Sequence, residues 1–270
     1  MHLTEINIYP IKSARGISLP SAQLDDRGLE LDRRWMVVDK KGTFLTQRTL
    51  PRMALIHVEL RGDHLAVRAQ GISELSIPLR EPGSKMLPVQ VWNDSLDAID
   101  VGEDAAAWFT QTLGLSCRLV RMPEYASRFV NPKYAPEKSP VTFADAFPLL
   151  LMSRASLDDL NSRLEEPVPM NRFRPNVVVE GSPAYEEDTW GSLRIGHVSF
   201  LVAKPCERCA IPTVDQDTGE RGKEPIRTLS TYRTRDSQVY FGQNLIHEGR
   251  GILKVGDDAQ RSQLLRHPRQ

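Results

Sequence analysis

The sequence predicts a mainly β (α+β) protein, and three observations predict it. Short runs of alternating apolar and polar residues recur through residues 3–101, as in Leu3-Thr4-Glu5-Ile6-Asn7-Ile8-Tyr9; this is the two-residue period of a half-buried strand. Gly, Asn and Asp stand between the runs, where tight hairpin turns need them. A helical period appears only in a few short stretches.

Taken in order, residues 3–9 form a strand that stops at Pro10, which has no N–H to give to a ladder. Residues 17–24 are a second extended run, and 34–38 a short apolar strand carrying Trp35. Residues 54–60 and 64–69 flank Arg61-Gly62-Asp63 as a hairpin, and 89–92 and 96–101 pair around Asn93-Asp94-Ser95. Strands this short at this spacing build a barrel or a sandwich. The period changes over 103–113, where Ala106, Trp108, Phe109 and Leu113 share one helical face and Gly114 supplies the C-terminal stop. Residues 117–122 return to strand. Cys117, among apolar neighbours, reads as a buried small hydrophobe.

Residues 123–140 are polar, proline-bearing and aperiodic, a linker or long loop and the expected domain boundary. The expectation is a first domain over 1–122, a second over 141–258 and a frayed polar tail over 259–270. In the second domain, Ser156-Leu157-Asp158-Asp159 resembles a capping box that opens a helix through Leu164. Strands are expected over 173–179, 193–195 and 197–202, the last two a hairpin about Gly196. Residues 215–219 are a turn. Its Gly219 falls one place early for a calcium-binding EF-hand loop and no glutamate follows at the required position, which rejects calcium there. A short helix over 225–233, with Pro225 in its first turn, and strands over 239–247 and 251–255 complete the fold.

Composition bounds the function. Lys plus Arg number 35 and Asp plus Glu 35, a net charge of zero, which argues against a nucleic-acid partner held by phosphate neutralisation. No apolar run approaches bilayer-spanning length, so no membrane partner is expected. Three unevenly spaced cysteines make no disulfide framework, and residues 1–20 carry no signal-peptide pattern. The expected location is cytoplasmic.

The densest chemistry is Lys204-Pro205-Cys206-Glu207-Arg208-Cys209-Ala210-Ile211-Pro212-Thr213-Val214-Asp215, directly after a strand-like run over 198–203. Four readings of the cysteine pair are open. A structural zinc site needs two further ligands, and the chain has no second C-x-x-C and no closely spaced histidine pair. A thioredoxin-like dithiol opens a helix, whereas Pro212 and Thr213-Val214-Asp215 follow here. Two inert core thiols fit poorly with Glu207 and Arg208 between them. The fourth reading is a single thiolate on a redox metal, with Arg208 holding an anionic cofactor. Other basic clusters favour it: Lys12-Ser13, Arg33, and Arg172, Arg174 and Asn176 around Pro175 each stand at a strand end, where barrel mouths place ligand-binding groups. Arginine also suits bidentate phosphate contact.

Ile8-Tyr9-Pro10-Ile11-Lys12-Ser13 resembles the opening motif of the N-terminal β-barrel domain of MOSC proteins, and Asp32-Arg33-Arg34-Trp35-Met36-Val37 its second motif. Asn171-Arg172-Phe173-Arg174-Pro175-Asn176, Cys206-Glu207-Arg208-Cys209, Thr213-Val214-Asp215, Phe241-Gly242-Gln243-Asn244 and Lys254-Val255-Gly256-Asp257 resemble the MOSC domain itself. The subgroup most resembled is that of the amidoxime-reducing components and their bacterial YcbX-type relatives. The resemblance implies an N-terminal β-barrel-like domain followed by a MOSC β-barrel with a few peripheral helices. It implies a molybdenum–molybdopterin cofactor with Cys209 as the protein ligand to the metal. Lys12, Ser13, Arg33, Asp145, Arg174, Asn176 and Arg208 would lie about the pterin and its phosphate, and Asp215 near the open metal face. The implied activity is molybdenum-dependent reduction of small N-hydroxylated compounds, amidoximes and N-hydroxylated base analogues among them.

Two departures from the family pattern stand out. Asp145-Ala146-Phe147-Pro148 lacks the hydroxyl side chains that relatives carry after the matching aspartate. The YcbX-type proteins also carry a [2Fe–2S] ferredoxin domain, and this chain has no four-cysteine set. No iron–sulfur cluster is expected, so electrons would come from a separate donor protein of flavin, cytochrome or ferredoxin type. MOSC domains also occur in molybdenum-cofactor sulfurases. The alternative is therefore a sulfur-carrying or cofactor-handling protein that turns over no organic substrate.

Overall fold

The alternation at the start of the chain becomes the strand His2–Ile8, and its partners are distant in sequence. In the computed structural model, which describes residues 1–80, 85–126, 128–135 and 137–263, this strand pairs antiparallel with Val177–Glu180, Ile6 facing Val177. Its other edge takes Ile17–Leu19. Val177–Glu180 runs parallel to Leu149–Ser153. From there the sheet continues antiparallel through Gln238–Glu248, Val198–Glu207, Trp190–Ile195 and Ala259–Gln263. With Thr234–Arg235 on Gln238–Glu248, nine strands make up this sheet. A parallel pair requires a crossover, here the helix Arg154–Asn161 and the 3-10 turn Met170–Arg172.

A four-stranded sheet orders Trp35–Asp39, Cys117–Arg121, Asp94–Asp100 and Met86–Val91, and a three-stranded one His57–Arg61, His64–Ala69 and Ile72–Pro78. A further small sheet joins Ser21–Asp25 to Gly251–Lys254 and Gly28–Leu29. The chain is thus mainly β, as its periodicity predicts. The helix Glu103–Leu113 buries Ala106, Trp108, Phe109 and Leu113 and ends on Gly114 in the left-handed region. Its apolar face joins Trp35, Val37, Leu65, Val67 and Leu119 in one core. A second core mixes both ends of the chain: Leu3, Ile6 and Leu24 pack with Leu151, Val179, Trp190, Phe200 and Leu245.

Several local expectations change. Residues 54 and 55 belong to a 3-10 turn started by Pro51. The extended run over 17–24 is two strands, broken at Pro20. The helix expected from Ser156 starts at Arg154. Ser156 is buried and does not cap: its Oγ donates to Glu187 Oε1 at 2.6 Å and accepts the Tyr185 N–H at 2.8 Å. The strand expected over 173–179 begins only at Val177, because Arg174 and Pro175 turn the chain first. The pattern missed the two-residue strands Gly28–Leu29 and Thr234–Arg235 and two longer ones, Ile72–Pro78 and Leu149–Ser153. The latter is Leu-Leu-Leu-Met-Ser inside the large sheet; it has no alternation to read because both its faces are largely covered. The polar stretch from 259 begins as the strand Ala259–Gln263. The rest of the expected tail, 264–270, lies outside the described residues. Among the described residues no helix is long and apolar enough to cross a membrane.

Candidate active site

The ends of distant strands meet in a cavity of ≈ 140 Å³ lined by Lys12, Ser13, Arg33, Asp145, Arg174, Asn176, Arg208 and both thiols of the C-x-x-C pair. Three of these residues hold left-handed backbone: Ser13 at φ 67°, Arg33 at 49° and Arg174 at 57°. Such angles are uncommon for residues other than glycine and persist where surroundings enforce them. Here the Arg33 N–H donates to Tyr9 O at 2.9 Å and the Arg174 N–H to Asn171 O at 3.2 Å. Gln47 donates to Ser13 O at 2.8 Å.

Side chains from both halves interlock behind the cavity. Arg174 donates to Ala14 O at 2.7 Å, and Arg33 to Asn176 Oδ1 at 3.0 Å. Both guanidiniums lie over the Tyr9 ring, at 4.2 and 4.6 Å from its centroid. Burial pushes the Tyr9 phenol up to about 12, against the pull of these two cations. Burial also lowers Arg174 to about 10. Asn176 is spent on structure: it donates to Asn7 O at 3.1 Å and accepts the Leu150 N–H at 3.1 Å.

At the opposite wall Lys12 is buried, its Nζ donating to Phe143 O at 2.7 Å and Asp145 Oδ1 at 2.6 Å. Burial lowers Lys12 to about 8, although Asp145 pulls it the other way. Asp145 Oδ2 accepts from Arg48 at 2.6 Å. Burial raises this carboxyl, but Lys12 and Arg48 outweigh it and hold Asp145 well below the usual carboxylate range. Arg48 also faces Cys209: burial lowers it, and Asp145 and the Cys209 sulfur together raise it further.

The cysteines are unequal. The strand Val198–Glu207 loses register with Gln238–Glu248 between Val202 and Lys204 and again between Pro205 and Glu207. Bulges of this kind re-aim side chains near active sites. Cys206 Sγ accepts from Arg208 at 3.1 Å, and the same guanidinium donates to Phe173 O at 2.8 Å. Cys209 lies past the strand end, its sulfur accepting only a long 3.5 Å contact from the Ile211 N–H besides facing Arg48.

Counting the lining gives five cations, Lys12, Arg33, Arg48, Arg174 and Arg208, against the two carboxylates of Asp145 and Glu207. Glu207 is already paired with Lys204 at 2.6 Å. Among the described residues, Arg48 Nε and Arg208 Nε are buried donors without a partner. Buried donors normally find acceptors, so the cavity fits an anionic group. Among the described residues no cluster of three or more His, Cys, Asp or Glu could hold a metal, so a four-ligand zinc site at Cys206 and Cys209 is not built here. One free thiol beside an anion pocket fits a metal that brings its other ligands with it.

Comparison with known proteins agrees with this geometry. Residues 1–116 match the MOSC N-terminal beta barrel domain, and residues 138–260 match the MOSC domain. The chain belongs to the MOSC family. It is 37% identical to mitochondrial amidoxime-reducing component 1 of Mus musculus, over 94% of this chain and 80% of that protein. It is 37% identical to mitochondrial amidoxime reducing component 2 of Rattus norvegicus (96% and 82% covered) and 38% to that of Bos taurus (94% and 81%). These relatives are named mitochondrial, which overturns the cytoplasmic expectation. Free thiols report a reducing surrounding, not a particular compartment.

Within this MOSC protein two positions differ from expectation. Asp215 is outside the cavity lining. Its Oδ1 accepts the N–H groups of Asp217 and Thr218, both at 2.9 Å, and its Oδ2 accepts from Arg172 at 3.1 Å. Those backbone N–H groups lower its pKa more than Arg172 does. Its carboxylate shapes the turn. Arg48 is the reverse case, a cavity residue that sequence reasoning missed. It sits in an irregular stretch between the strand Trp35–Asp39 and the 3-10 turn Pro51–Leu55, with no motif around it.

Proposed function

We propose that this chain is a molybdenum-cofactor-dependent oxidoreductase that reduces N-hydroxylated compounds, amidoximes among them, with electrons from a separate protein. The observation that carries the reading is an excess of cations around the Cys209 thiol: Lys12 and Arg48 share the single carboxylate of Asp145 and Arg33 pairs with Asp32, while Arg174 and Arg208 have no carboxylate partner among the described residues. It is supported by membership of the MOSC family and by the names of the similar proteins.

Cys209 would ligate the metal, softness matching softness. Lys12, Arg33, Arg174 and Arg208 would hold the pterin phosphate and ring system by charge and hydrogen bonds, with Ser13, Asp145 and Asn176 fixing the walls. Arg48 would stand beside the Cys209 sulfur as a further cation at the edge of the cavity. When bound, the cofactor supplies two-electron removal of oxygen from the substrate N–OH. Reduction of N–OH to N–H with two electrons and two protons releases water, so electrons and protons must both reach the cavity. The chain's part is to orient the cofactor, supply one sulfur ligand and keep anionic groups in place. The donor is proposed to be a flavin, cytochrome or ferredoxin type of protein.

The test is metal content of protein made in a host that builds the cofactor. Near-stoichiometric molybdenum and pterin are expected, lost in Cys209→Ser and partly retained in Cys206→Ser, with reduction of benzamidoxime by an artificial donor following the metal. Stoichiometric zinc without pterin would sink the reading, and molybdenum-loaded protein without turnover would refute the reductase assignment.

A further inference from the structure

The wall formed by Asp145 has a second side. Asp145 and Ala146 also line a wider cleft of ≈ 880 Å³ whose other walls include Trp92 and Phe129. That size lies within the roughly 300–1,000 Å³ of small-molecule sites.

Trp92 stands where folding does not ask for it. It opens the two-residue turn between Met86–Val91 and Asp94–Asp100, since Val91 pairs with Asp94. Its φ is 56°. Such turns take Asn, Asp or Gly, and a bulky side chain at positive φ is strained. Trp92 is 43% exposed, whereas Trp35, Trp108 and Trp190 are at most 7% exposed. A strained, exposed indole gains little from burial, so its position points to a task. The position is well held. Nε1–H donates to Asp145 Oδ1 at 3.2 Å, the ring lies 5.0 Å from that of Phe44, and the Arg48 guanidinium lies 4.8 Å from its centroid.

Phe129, 44% exposed, joins the same cleft. Its neighbour Arg128 is buried, donates to the carbonyls of Thr142 and Ala144 and pairs with Asp94 at 2.9 Å. That arginine ties the aromatic wall to the backbone just before Asp145. Of the charges in the cleft, Asp94 is matched by Arg128 and Asp145 by Lys12 and Arg48, Lys138 Nζ lies 5.7 Å from the Phe129 ring centroid, and Glu137 stands on the same wall. What the cleft offers is therefore aromatic surface beside a cationic cavity.

We infer that this cleft is the substrate subsite, and that Trp92 and Phe129 select N-hydroxylated compounds with a flat, uncharged aromatic body. The ring rests on Trp92 while the N–OH end passes Asp145 into the Cys209 cavity. The inference rests on the reductase reading for the reaction and on the cleft alone for binding.

The test uses holoenzyme with dithionite-reduced methyl viologen on two substrates, benzamidoxime and hydroxyurea, the second having N–OH but no ring. Trp92→Ala is expected to raise KM for benzamidoxime about tenfold and to leave that for hydroxyurea within about twofold. Trp92→Phe recovers most of the loss. An equal change for both substrates, or none for benzamidoxime, overturns the proposal. A second readout needs no turnover. Trp92 is the exposed indole, so titrating oxidised holoenzyme with benzamidoxime, no donor present, is expected to quench its emission saturably and shield it from iodide. Trp92→Phe removes the response. Wild-type protein that reduces neither compound sinks the reductase reading, and the titration still decides the cleft: a saturable Trp92 response upholds aromatic binding there, and no response overturns it.

Discussion

Glu187 gives a stability prediction whose sign and size follow from its surroundings. It lies in the 3-10 turn Glu186–Thr189 and is 1% exposed. Ser156 donates to Oε1, but Oε2 is buried without a partner. Burial raises its pKa from 4.5 to about 7, against the Ser156 hydrogen bond, which lowers it. In the unfolded chain the carboxyl loses its proton near 4.5; in the native protein it keeps it until about 7. Between those values the native state binds the extra proton, so stability falls as pH rises through the window and the contribution is gone above about 7. The displacement corresponds to about 3 kcal/mol at most. Glu187→Gln keeps the acceptor for Ser156 and removes the titration. Urea unfolding of both proteins from about pH 5 to about pH 8 should show the variant gaining on the wild type by up to about 3 kcal/mol. Any constant penalty for the unpaired amide cancels in that change. A difference that stays flat across the range, or that moves toward the wild type as pH rises, would refute the argument.

Three other predictions concern the large sheet and the cavity. Gly242 has φ +80°, and an added Cβ would sit 2.4 Å from Met152 Sδ and 2.7 Å from Leu151 O. Gly242→Ala should therefore cost roughly 2–4 kcal/mol by denaturant titration; a loss under about 0.5 kcal/mol would show that the sheet yields there. Arg48→Gln removes a cation that touches Asp145 and faces Cys209. Because Asp145 is 46% exposed and keeps Lys12, stability should drop by only about 1 kcal/mol, while molybdenum content falls several-fold; unchanged metal content would remove Arg48 from the site. In cofactor-free protein, sulfate, a dianion at every pH used, should raise Tm, because ligands of the native state stabilise it by mass action. Lys12, lowered to about 8, loses its charge above that value, so the sulfate effect should shrink from about pH 7 to about pH 9. An effect that grows with pH would contradict the assignment of Lys12 as an anion contact.

Local periods and the stop at Gly114 were legible in the sequence; the helix start at Arg154 and the long-range partnerships were not. The helix Glu103–Leu113 and its Gly114 cap match the expected bounds because both depend on nearest turns. The strand His2–Ile8 was equally readable, yet its pairing with Val177–Glu180 spans most of the chain and leaves no local trace. Residues Lys12, Ser13, Arg33, Arg174, Asn176 and Arg208 were found through motifs, and the structure brings them to one cavity. Arg48 and Trp92 were missed because each owes its place to contacts with Asp145, not to neighbours in sequence. Asp215 misled for the opposite reason. An aspartate two and three residues before free N–H groups caps a turn, and that local use outcompeted a role at the cavity.

The site explains why the two halves are interleaved. Lys12, Ser13, Arg33 and Arg48 come from the first third of the chain, and Asp145, Arg174, Asn176, Arg208 and Cys209 from beyond residue 140. Asp145 and Asp32 offset only part of the repulsion among these five cations, so such a cluster does not hold itself together. What holds it is elsewhere: the first strand inside the large sheet, Ser21–Asp25 on Gly251–Lys254, and Tyr9 under two arginines from opposite halves. Each strand end then turns through a left-handed residue at Ser13, Arg33 or Arg174, which breaks the strand alternation where a charged side chain must reach the cavity. Backbone strain of this sort costs about 1–3 kcal/mol per residue. Here it is offset by hydrogen bonds that cross the seam, Arg33 to Asn176 and Arg174 to Ala14. A chain folded as two separate barrels would lose those bonds and part Lys12 and Arg48 from Asp145. The interleaving is thus the structural condition for a positively charged cavity with one thiol at its edge.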